Sequence, residues 1–503
     1  MVLATGKVLF RYQEVAAVVA DTRALAEDGA QLVDVEYEPL PVVVVDPFLA
    51  VAPGAPILRE EQSNRIFHWE VGDRADTDAR LKKSALVVKE RIRMPRVHPA
   101  PLEPGGCIAD YHRAMGKLDW YVTSQAPHVH CTVLAMGAGL PEHKIHVISP
   151  DIGGGFGNKV PVFPGYVAAI VASISLGRPV KWIEARTENL TSTNFARDYH
   201  MEVELGADAD GRVTALKVAT VADHGAFDAA ADPTRYPTGL FSIVTGSYDF
   251  PAAFAEVDGV YTNKAPGGIA YRCSFRVTEA SFLIERAMNS LALKLGVDPA
   301  DLRYRNFIQS EQFPYHSPLG WTYDSGDYPA TLKKARDLLD YPALRREQAE
   351  RQARGALMGI GISTFTEIVG AGPSNMFDIL GIKMFDSAEI RVHPTGKVMA
   401  RLGARHQGQG HETTFAQVIA NELGLSIDGH HGAVLGRRRH LGGPALPTAQ
   451  FGRHGALLPV GLHRGRLRPP AGRGAHGRSR RRADALHSTA VLTARRPALP
   501  GAS

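Results

Sequence analysis

Apolar and polar positions follow short, changing rhythms in the first 90 residues of this chain. Residues 22–34 carry the spacing of a helix with one apolar side. The apolar runs that predict strands around this helix lie at residues 8–10, 16–20, 35–37 and 42–45. The pattern therefore predicts a small α/β unit over residues 1–90.

Strand and helix patterns then alternate up to about residue 340. An Asp-Gly pair indicates a hairpin turn between two longer strands. The strands predicted in this part lie at residues 144–148, 180–184, 199–205 and 213–222. Residues 91–340 are therefore predicted to form a second, larger unit.

A long helix lies near the end of this second unit. Apolar residues, including Leu283 and Leu291, fall on one face of the segment from residue 278 to residue 295. Gly296 ends the predicted helix, and Pro299 keeps it from continuing.

A third unit is predicted over residues 341–428, and the pattern changes abruptly after it. A hairpin at residues 394–396 precedes a loop at residues 407–411 and a helix at residues 413–423. Beyond Asp428 no periodicity remains, and Gly, Pro, Arg, His and Ala dominate. Residues 429–503 cannot bury enough surface to offset their ordering entropy, so this tail is predicted to be disordered.

Charge separates the tail from the rest of the chain. The 57 basic and 52 acidic residues give a formal net charge of +5. The tail alone holds 14 arginines, no lysine and one acidic residue, Asp484, so residues 1–428 are acidic overall. A nucleic-acid-binding role for the whole chain has no support. A basic-tail adaptor that contacts phosphates remains an alternative, although Phe451 is the tail's one aromatic residue.

Cysteine content and hydropathy indicate the compartment. Three cysteines in 503 residues argue against a disulfide framework and suit a reducing environment. The N-terminus lacks the layout of a signal peptide, and the longest apolar runs are too short to span a bilayer. The chain is therefore predicted to be cytoplasmic.

Three loops carry residues suited to binding a ligand. Residues 151–159 (Asp-Ile-Gly-Gly-Gly-Phe-Gly-Asn-Lys) can form a nest of backbone N–H groups, but they match neither a Walker loop nor a dinucleotide fingerprint. Residues 407–411 (Gln-Gly-Gln-Gly-His) enter a helix, whose N-terminal amides suit a phosphate. Gln125, in residues 124–128, could donate to an oxo or carbonyl group. Each loop alone is equally compatible with a structural turn.

A fourth loop, residues 270–276 (Ala-Tyr-Arg-Cys-Ser-Phe-Arg), places Cys273 between two arginines at the start of a helix. This setting favours a thiolate, and a thiolate selects soft metals such as Cu(I). The alternative is a buried, unreactive thiol, which is also expected for Cys107 and Cys131. The histidine pairs at residues 143/146 and 430/431 lack a second ligand pair, so neither is predicted to bind a metal.

The four loops together, in this order, resemble the large subunit of the molybdenum hydroxylase (xanthine dehydrogenase) family. Within that family, residues 270–276 are similar to the signature of aerobic, copper-containing carbon monoxide dehydrogenases. The likeness extends over about residues 2–428. It implies an α+β, multidomain large-subunit fold: residues 1–90 are a remnant of the N-terminal hammerhead domain, residues 91–340 the first cofactor-binding domain, and residues 341–428 the start of the second.

The resemblance also implies a molybdopterin cytosine dinucleotide cofactor and a role for each site residue. Gln125 donates toward a molybdenum oxo group, Cys273 binds Cu(I) beside Arg272, and Phe275 walls the small substrate pocket. The residues expected to contact the cofactor are Gly154, Gly155, Phe156 and Gly157 in the first loop and Gln407, Gly408, Gln409, Gly410 and His411 in the second.

The reaction and the partners are implied by the same resemblance. Carbon monoxide and water give carbon dioxide, two protons and two electrons. The electrons pass through a small [2Fe–2S] subunit and a medium FAD subunit to a quinone. Three cysteines are too few for iron–sulfur clusters on this chain, so those clusters are expected on partners in a dimer of heterotrimers, at the inner face of the cell membrane. The alternative activity is hydroxylation of an aldehyde or an N-heterocycle.

Two departures from the family pattern stand out. Met1 enters part-way through the N-terminal domain, and the resemblance stops near Asp428, before the Gly-Val-Gly-Glu loop that carries the family's glutamate base. A reading-frame shift explains the composition change after residue 428, since residues 437–440, read one base later, can encode Asp-Gly-Asp-Thr. The chain as printed is therefore expected to be inactive.

Overall fold

The computed structural model describes residues 2–40, 43–59, 63–227, 243–268, 277–366, 387–404 and 406–427, and the backbone of three short strands in the tail. The helices are α1 (Arg23–Gln31), α2 (Pro47–Ala50), α3 (Arg74–Lys83), α4 (Pro127–Ala138), α5 (Pro164–Leu176), α6 (Arg186–Thr191), α7 (Val277–Leu295), α8 (Pro299–Asn306), α9 (Tyr328–Leu338), α10 (Tyr341–Ala353) and α11 (His411–Leu423). Short 3₁₀ turns lie at Glu142–Lys144 and Ser310–Gln312.

The strands fall into two large and three small sheets. They are β1 (Ala16–Ala20), β2 (Arg65–Gly72), β3 (Leu86–Met94), β4 (Gly106–His112), β5 (Lys117–Val122), β6 (Ile145–Ile148), β7 (Val180–Ile183), β8 (Tyr199–Ala207), β9 (Val213–Gly225), β10 (Ala253–Tyr261), β11 (Tyr315–His316), β12 (Thr322–Tyr323), β13 (Gly359–Gly361), β14 (Ala388–Val392), β15 (Val398–Leu402), β16 (Ala433–Arg437), β17 (His463–Gly465) and β18 (Thr489–Ala494).

The first large sheet has the order β1-β18-β7-β4-β5-β6 and is covered by α4 and α5. Its core centres on Trp120 and Tyr166, both fully buried, with ring centroids 5.5 Å apart. A Cβ on Gly165 would lie 2.3 Å from the Trp182 ring, so glycine is required there for α5 to approach the sheet. Each large apolar side chain buried in this way contributes about 1.5–3 kcal/mol.

The second large sheet has the order β2-β10-β9-β8-β3. The predicted hairpin is confirmed, because β8 and β9 pair antiparallel from Tyr199↔Ala222 to Ala207↔Val213. Alternate residues of β8 are buried against α7, whose predicted apolar face is also confirmed: Leu283 is 1% exposed and Leu291 is 0% exposed. This sheet and helix form the largest core of the described chain.

A buried polar network joins the end of this core to residues 359–366. Arg303 and Glu285 pair at 2.7 Å with almost no exposed surface. Tyr248 donates to Glu285, as does Thr364 at 2.9 Å, and Arg303 donates to the carbonyl of Ile362 at 3.2 Å. Each charge therefore has a partner. These contacts offset the desolvation penalty of several kcal/mol that a buried charge carries.

Several predicted elements differ from the structure. No strand forms at residues 8–10 or 35–37, or in the described part of residues 42–45. Side chains satisfy the backbone instead: Leu9 N–H donates to Gln13 Oε1, Asn263 donates to the Leu9 carbonyl, and Val44 N–H donates to Asn263. Pro299 is also different, because it begins α8 rather than only ending α7.

Three short strands are described within residues 429–503, the tail that composition predicts to be disordered. Parallel pairing joins β18 to β1 and β16 to β15, and antiparallel pairing joins β17 to β13. Edge strands carry unpaired N–H and C=O groups, which an uncharged run such as Thr-Ala-Val-Leu-Thr-Ala can satisfy. Average composition hid this six-residue run. Other residues of the tail lie outside the described chain.

Candidate cofactor site

The first glycine-rich loop follows β6 and turns back tightly on itself. Gly154, Phe156 and Gly157 have φ values of 85°, 52° and 89°, in the left-handed region that favours glycine. Gly154 N–H donates to the Ile152 carbonyl, and Asn158 N–H donates to the Gly155 carbonyl, both at 2.9 Å. The sequence therefore forms a preshaped turn in which one non-glycine residue, Phe156, adopts a rare backbone conformation.

Gln125 fills the inside of this turn. Its Oε1 accepts the backbone N–H of Gly157 at 2.9 Å and that of Lys159 at 3.2 Å. The backbone N–H of Gln125 donates to the Lys159 carbonyl at 3.0 Å. A Cβ on Gly155 would lie 2.2 Å from Gln125 Cδ, so glycine alone fits at that position. Two N–H donors at Oε1 also fix which side of the amide is nitrogen.

The same amide joins the first loop to the second. Gln125 Nε2 donates to Gln407 Oε1 at 2.8 Å, across 282 residues of sequence. An amide nitrogen carries two hydrogens, so one remains for another acceptor. The structure thus brings together three of the four loops that the sequence singled out, and Gln125 is the residue that connects them.

The second loop has an open surface. Gly408 and Gly410 have φ values of 103° and 76°, and a Cβ on either would meet nothing within 4 Å. Gln407 N–H donates to Gln409 Oε1 at 2.7 Å. Gly410 caps α11 without a side-chain hydrogen bond to the first amides of this helix. Such a helix N-terminus favours a phosphate group.

Two histidines, His406 beside the second loop and His411 at its end, have ring nitrogens without a hydrogen bond to the described residues. Within the described part of the chain, Nδ1 of His406 and Nδ1 of His411 are buried and have no hydrogen-bond partner. Their ring centroids lie 5.9 Å apart. Burial, and then the neighbouring His406, lower the pKa of His411, so its ring is neutral at neutral pH. A buried polar atom without a partner costs about 1–3 kcal/mol, which a bound ligand can relieve.

Sequence reasoning missed the residues that hold the first loop from outside. Glu103 Oε2 accepts Gly153 N–H at 2.7 Å and Lys159 Nζ at 2.8 Å, so one carboxylate ties both ends of the loop. The Lys159 side chain is 0% exposed, and burial lowers its pKa while Glu103 opposes that shift. Lys159 is part of the glycine-rich motif at residues 151–159, but nothing in the sequence around Glu103 indicated that Glu103 would pair with Lys159.

A second support lies behind the loop. Asn189 Nδ2 lies 3.4 Å from Asn158 Oδ1 and donates to Glu184 Oε2 at 2.8 Å, which also accepts Gly105 N–H at 2.6 Å. Burial raises the pKa of Glu184 to about 7, although its hydrogen bonds to Gly105 and Asn189 lower it. This carboxyl therefore changes its charge near neutral pH.

The fourth loop, residues 270–276, lies outside the described residues, and with it Arg272, Cys273 and Phe275. The expected inert character of the other two thiols fits their surroundings. Cys107 is buried, which raises its pKa to about 12, and burial also raises the pKa of Cys131. Neither thiol is suited to form a thiolate at neutral pH.

Histidine and carboxylate groups lie close together at two other places. His146 Nδ1 lies 3.0 Å from Asp119 Oδ1. In the part of the chain that the structure describes, His68, Glu70 and Glu256 form the one group with metal-ligand spacing. It is largely exposed, and the Arg74 guanidinium lies 2.7 Å from Glu256 and 3.3 Å from Glu70, so one cation already balances part of its negative charge.

The open glycines, the uncapped helix and the unpartnered histidine atoms fit a large, phosphate-bearing cofactor held between two loops. Family models agree with this geometry. The molybdopterin cofactor-binding domain models match residues 57–307 and 334–429, and the hammerhead domain model of aldehyde oxidase and xanthine dehydrogenase matches residues 1–41. The chain is 30% identical over 300 residues to the nicotinate dehydrogenase large molybdopterin subunit of Eubacterium barkeri, covering 59% of this chain and 68% of that protein.

The chain belongs to the molybdopterin-binding family that includes xanthine dehydrogenase.

Within this family, the chain is 58% identical over 446 residues to the carbon monoxide dehydrogenase large chain of Afipia carboxidovorans, covering 85% of this chain and 55% of that one. The structure also matches reconstituted CO dehydrogenase from Oligotropha carboxidovorans, with a TM-score of 0.81, 56% identity, and coverage of 87% and 56%. The chain thus spans about half the length of these relatives. In the described residues, no helix is long and apolar enough to cross a membrane.

Proposed function

We propose that this chain is the molybdopterin-binding part of the large subunit of a carbon monoxide dehydrogenase. The reaction is CO + H₂O → CO₂ + 2 H⁺ + 2 e⁻. The observation that carries the proposal is the Gln125 amide, which binds both cofactor loops at once and keeps a hydrogen for a further acceptor. The 58% identity to a carbon monoxide dehydrogenase large chain supports this substrate.

The cofactor is molybdopterin cytosine dinucleotide, which supplies two-electron redox chemistry and oxygen transfer when bound. Its pyrophosphate and nucleotide are held by Gln407, Gly408, Gln409, Gly410 and His411, where the N-terminus of α11 attracts anions. His411 is neutral, so its Nδ1 contributes a hydrogen bond rather than a charge.

The first loop is proposed to contact the cofactor through residues 154–157. Hydrogen bonds within the protein already use some of the backbone amides of these residues. The amides of Gly154 and Gly157 already donate to Ile152 and to Gln125. The amide of Gly155 is therefore the best placed of the three glycines to meet the cofactor. Gln125 would help to hold the molybdenum end of the cofactor by donating its remaining amide hydrogen to it.

Cys273 is the proposed copper ligand, with Arg272 and Phe275 beside it. Carbon monoxide is a soft ligand, and a thiolate selects Cu(I), so the two suit the same site. The other two thiols are unsuited to this role, because burial raises the pKa of Cys107 and of Cys131. Residues 270–276 therefore distinguish this chain from relatives that hydroxylate aldehydes or N-heterocycles.

Electrons leave through partner subunits in this proposal. Three cysteines cannot hold an iron–sulfur cluster in addition to copper, so a small [2Fe–2S] subunit and a medium FAD subunit carry electrons to a quinone. The assembly is a dimer of heterotrimers in the cytoplasm, at the inner face of the membrane. Nucleic acid is not among the proposed partners.

Metal content and substrate together test this function. Because the 503-residue chain itself is expected to be inactive, a full-length version of this subunit, extended past residue 428, is co-expressed with the FAD and iron–sulfur subunits, reconstituted with molybdenum and copper, and assayed by dye reduction. We expect one copper per molybdenum and reduction that depends on CO. Molybdenum without copper, together with reduction that depends on an aldehyde or an N-heterocycle, would overturn the proposal in favour of hydroxylation.

A further inference from the structure

His130, in the first turn of α4, is a polar side chain inside the apolar core of the first large sheet. It is 0% exposed. Its ring lies beside Trp120 and Tyr166, with ring centroids 5.8 Å and 6.2 Å away. An apolar side chain would fill this place without the cost of removing an imidazole from water. The histidine is therefore expected to form a contact that an apolar residue cannot form.

That contact is a hydrogen bond to the backbone of Val160. His130 Nε2 lies 2.7 Å from the Val160 carbonyl oxygen. Because a carbonyl oxygen only accepts, Nε2 carries the hydrogen and donates it. Nδ1 is buried without a hydrogen-bond partner in the described chain. Burial lowers the pKa of His130 to about 4, although the backbone at Val160 and Pro161 opposes that shift, so the ring is neutral at neutral pH.

The bonded carbonyl lies at the exit of the first cofactor loop. Val160 directly follows Lys159, the last residue of that loop, and its N–H donates to the Gly157 carbonyl at 3.4 Å. Lys159 itself is bound to Gln125. The Gln125 N–H donates to the Lys159 carbonyl at 3.0 Å, and the Lys159 N–H donates to Gln125 Oε1 at 3.2 Å. Gln125 and His130 therefore hold two consecutive residues at the loop exit.

His130 is also bound to the start of its own helix. Its backbone N–H donates to the carbonyl of Ala126 at 3.0 Å, and Ala126 directly follows Gln125. Ala126 provides no side-chain cap, so the start of α4 lacks a hydrogen bond that many helices use. A shift of this first turn relative to the loop would break the bond from His130 to Val160. That bond therefore sets the spacing between Gln125 and the loop exit.

We propose that His130 is a positioning residue for Gln125. Its Nε2–H, bound to the Val160 carbonyl, fixes the first turn of α4 against the first loop and thereby sets the direction in which the Gln125 amide meets the cofactor. The meaning of this for the cofactor rests on the proposed function. The positioning itself can be measured in the chain without any ligand.

The first test is amide hydrogen exchange of the native 503-residue chain without cofactor, resolved to single residues by fragmentation in the mass spectrometer. The amides read are those of Gly157 and Lys159, because both donate to Gln125 Oε1. His130→Leu fills the space without a donor. His130→Gln keeps an N–H at about the reach of Nε2 and is the conservative replacement.

Ser173→Ala is the matched control for this exchange measurement. Ser173 is 0% exposed, lies on α5 in the same core, and donates to the Arg178 carbonyl at 2.9 Å, away from the loop. We expect His130→Leu to speed exchange at the two loop amides by about tenfold or more, while His130→Gln and Ser173→Ala stay within about threefold of the parent. A rate within about twofold in His130→Leu, or equal acceleration in Ser173→Ala, would overturn the proposal.

The second test uses the parent chain, so it stands even if His130→Leu does not fold. Nitrogen-15 NMR of histidine-labelled protein, with the His130 signals assigned by their loss in His130→Gln, reports which ring nitrogen carries hydrogen. We expect a neutral ring protonated at Nε2. A ring protonated at Nδ1, or at both nitrogens, at neutral pH would overturn the proposal. Neither test depends on carbon monoxide, so a failure of CO-dependent reduction would contradict the proposed function alone.

Discussion

The two cofactor loops are built in opposite ways. The first loop, residues 153–159, is held by its own protein on every side: Glu103 ties its ends, Gln125 fills its centre, and Asn158 meets a buried polar network. The second loop, residues 407–411, has glycines that touch nothing and a histidine with a buried, unpartnered nitrogen. Among the described residues, the hydrogen bond from Gln125 to Gln407 links the second loop to the first.

This difference indicates that the two loops have different roles in binding the cofactor. A loop whose polar atoms are already satisfied is preorganised, so little ordering entropy is lost when a ligand binds. A loop with open glycines and unpaired polar atoms gains its missing contacts from the ligand. We therefore infer that the first loop determines position and that the second provides most of the cofactor's own contacts.

The largest effect should come from adding a methyl group to each loop. Gly155→Ala places a Cβ 2.2 Å from Gln125 Cδ, and we expect it to lower the free energy of unfolding by about 3 kcal/mol, the upper end of the usual cost of overpacking. Gly408→Ala meets no atom, so it should cost only the left-handed strain of about 1 kcal/mol. Urea denaturation measures both. Equal costs would mean that the two loops are packed alike.

The next effect is a pH dependence in the support of the first loop. Burial raises the pKa of Glu184 to about 7 from 4.5, so the native carboxyl keeps its proton between those pH values while the unfolded one ionises. The free energy of unfolding must therefore fall as pH rises from 4.5 to 7, by up to roughly 3 kcal/mol for the whole shift.

Glu184→Gln imitates the protonated form and should remove much of that fall. We expect the variant to be about 2 kcal/mol more stable than the parent at pH 8 and similar to it at pH 4.5. Glu14, whose pKa burial also raises to about 7, should leave a residual slope. Urea denaturation across pH 4.5–8 gives the comparison, and a parent stability that rises with pH in this window would contradict the account.

A smaller effect is expected at the Glu103–Lys159 ion pair, which ties the two ends of the first loop. Glu103→Gln removes the counter-charge of buried Lys159, and because Glu103 is itself 40% exposed we expect a loss of about 1–2 kcal/mol. Glu204→Gln is a matched control, since Glu204 also lies 2.8 Å from a lysine, Lys89, which is 70% exposed. The control should change stability by about 0.5 kcal/mol or less. Similar losses in both variants would show that the Glu103–Lys159 ion pair stabilises the protein no more than an exposed ion pair does.

The smallest effect on stability is expected at the second loop. His411→Gln should change the free energy of unfolding by about 0.5 kcal/mol or less, because Nδ1 has no protein partner among the described residues. The same change should weaken binding of molybdopterin cytosine dinucleotide by about tenfold, the value of one hydrogen bond. A large loss of stability with unchanged binding would show that His411 is structural.

Much of the fold was predictable because its patterns are local. The apolar face of α7, the hairpin between β8 and β9 and the helix α11 each follow from spacing within one element. The strand expected at residues 8–10 is wrong because an apolar run indicates burial and not pairing; the strand expected at residues 35–37 does not form either, and Tyr37 there is 45% exposed. Leu9 is buried, but Gln13 and Asn263 satisfy its backbone in place of a neighbouring strand.

The candidate site was predictable only in part, for the same reason. Glycine loops are visible in sequence, so the three described loops that contact one another had all been identified. Their supports depend on long-range contacts: Glu103 lies 56 residues from Lys159, and Gln125 meets Gln407 across 282 residues. Nothing local predicts such pairs. The positions of Arg272, Cys273 and Phe275 stay a prediction.

The central claim is that this chain binds a molybdenum cofactor between a preformed loop and an open one. Amide hydrogen exchange of the 503-residue chain, with and without molybdopterin cytosine dinucleotide, tests it most directly. We expect bound cofactor to slow exchange at residues 407–411 by about tenfold while residues 153–159 change little, because the latter are already hydrogen-bonded. Exchange at residues 407–411 that stays the same when cofactor is added would contradict the claim.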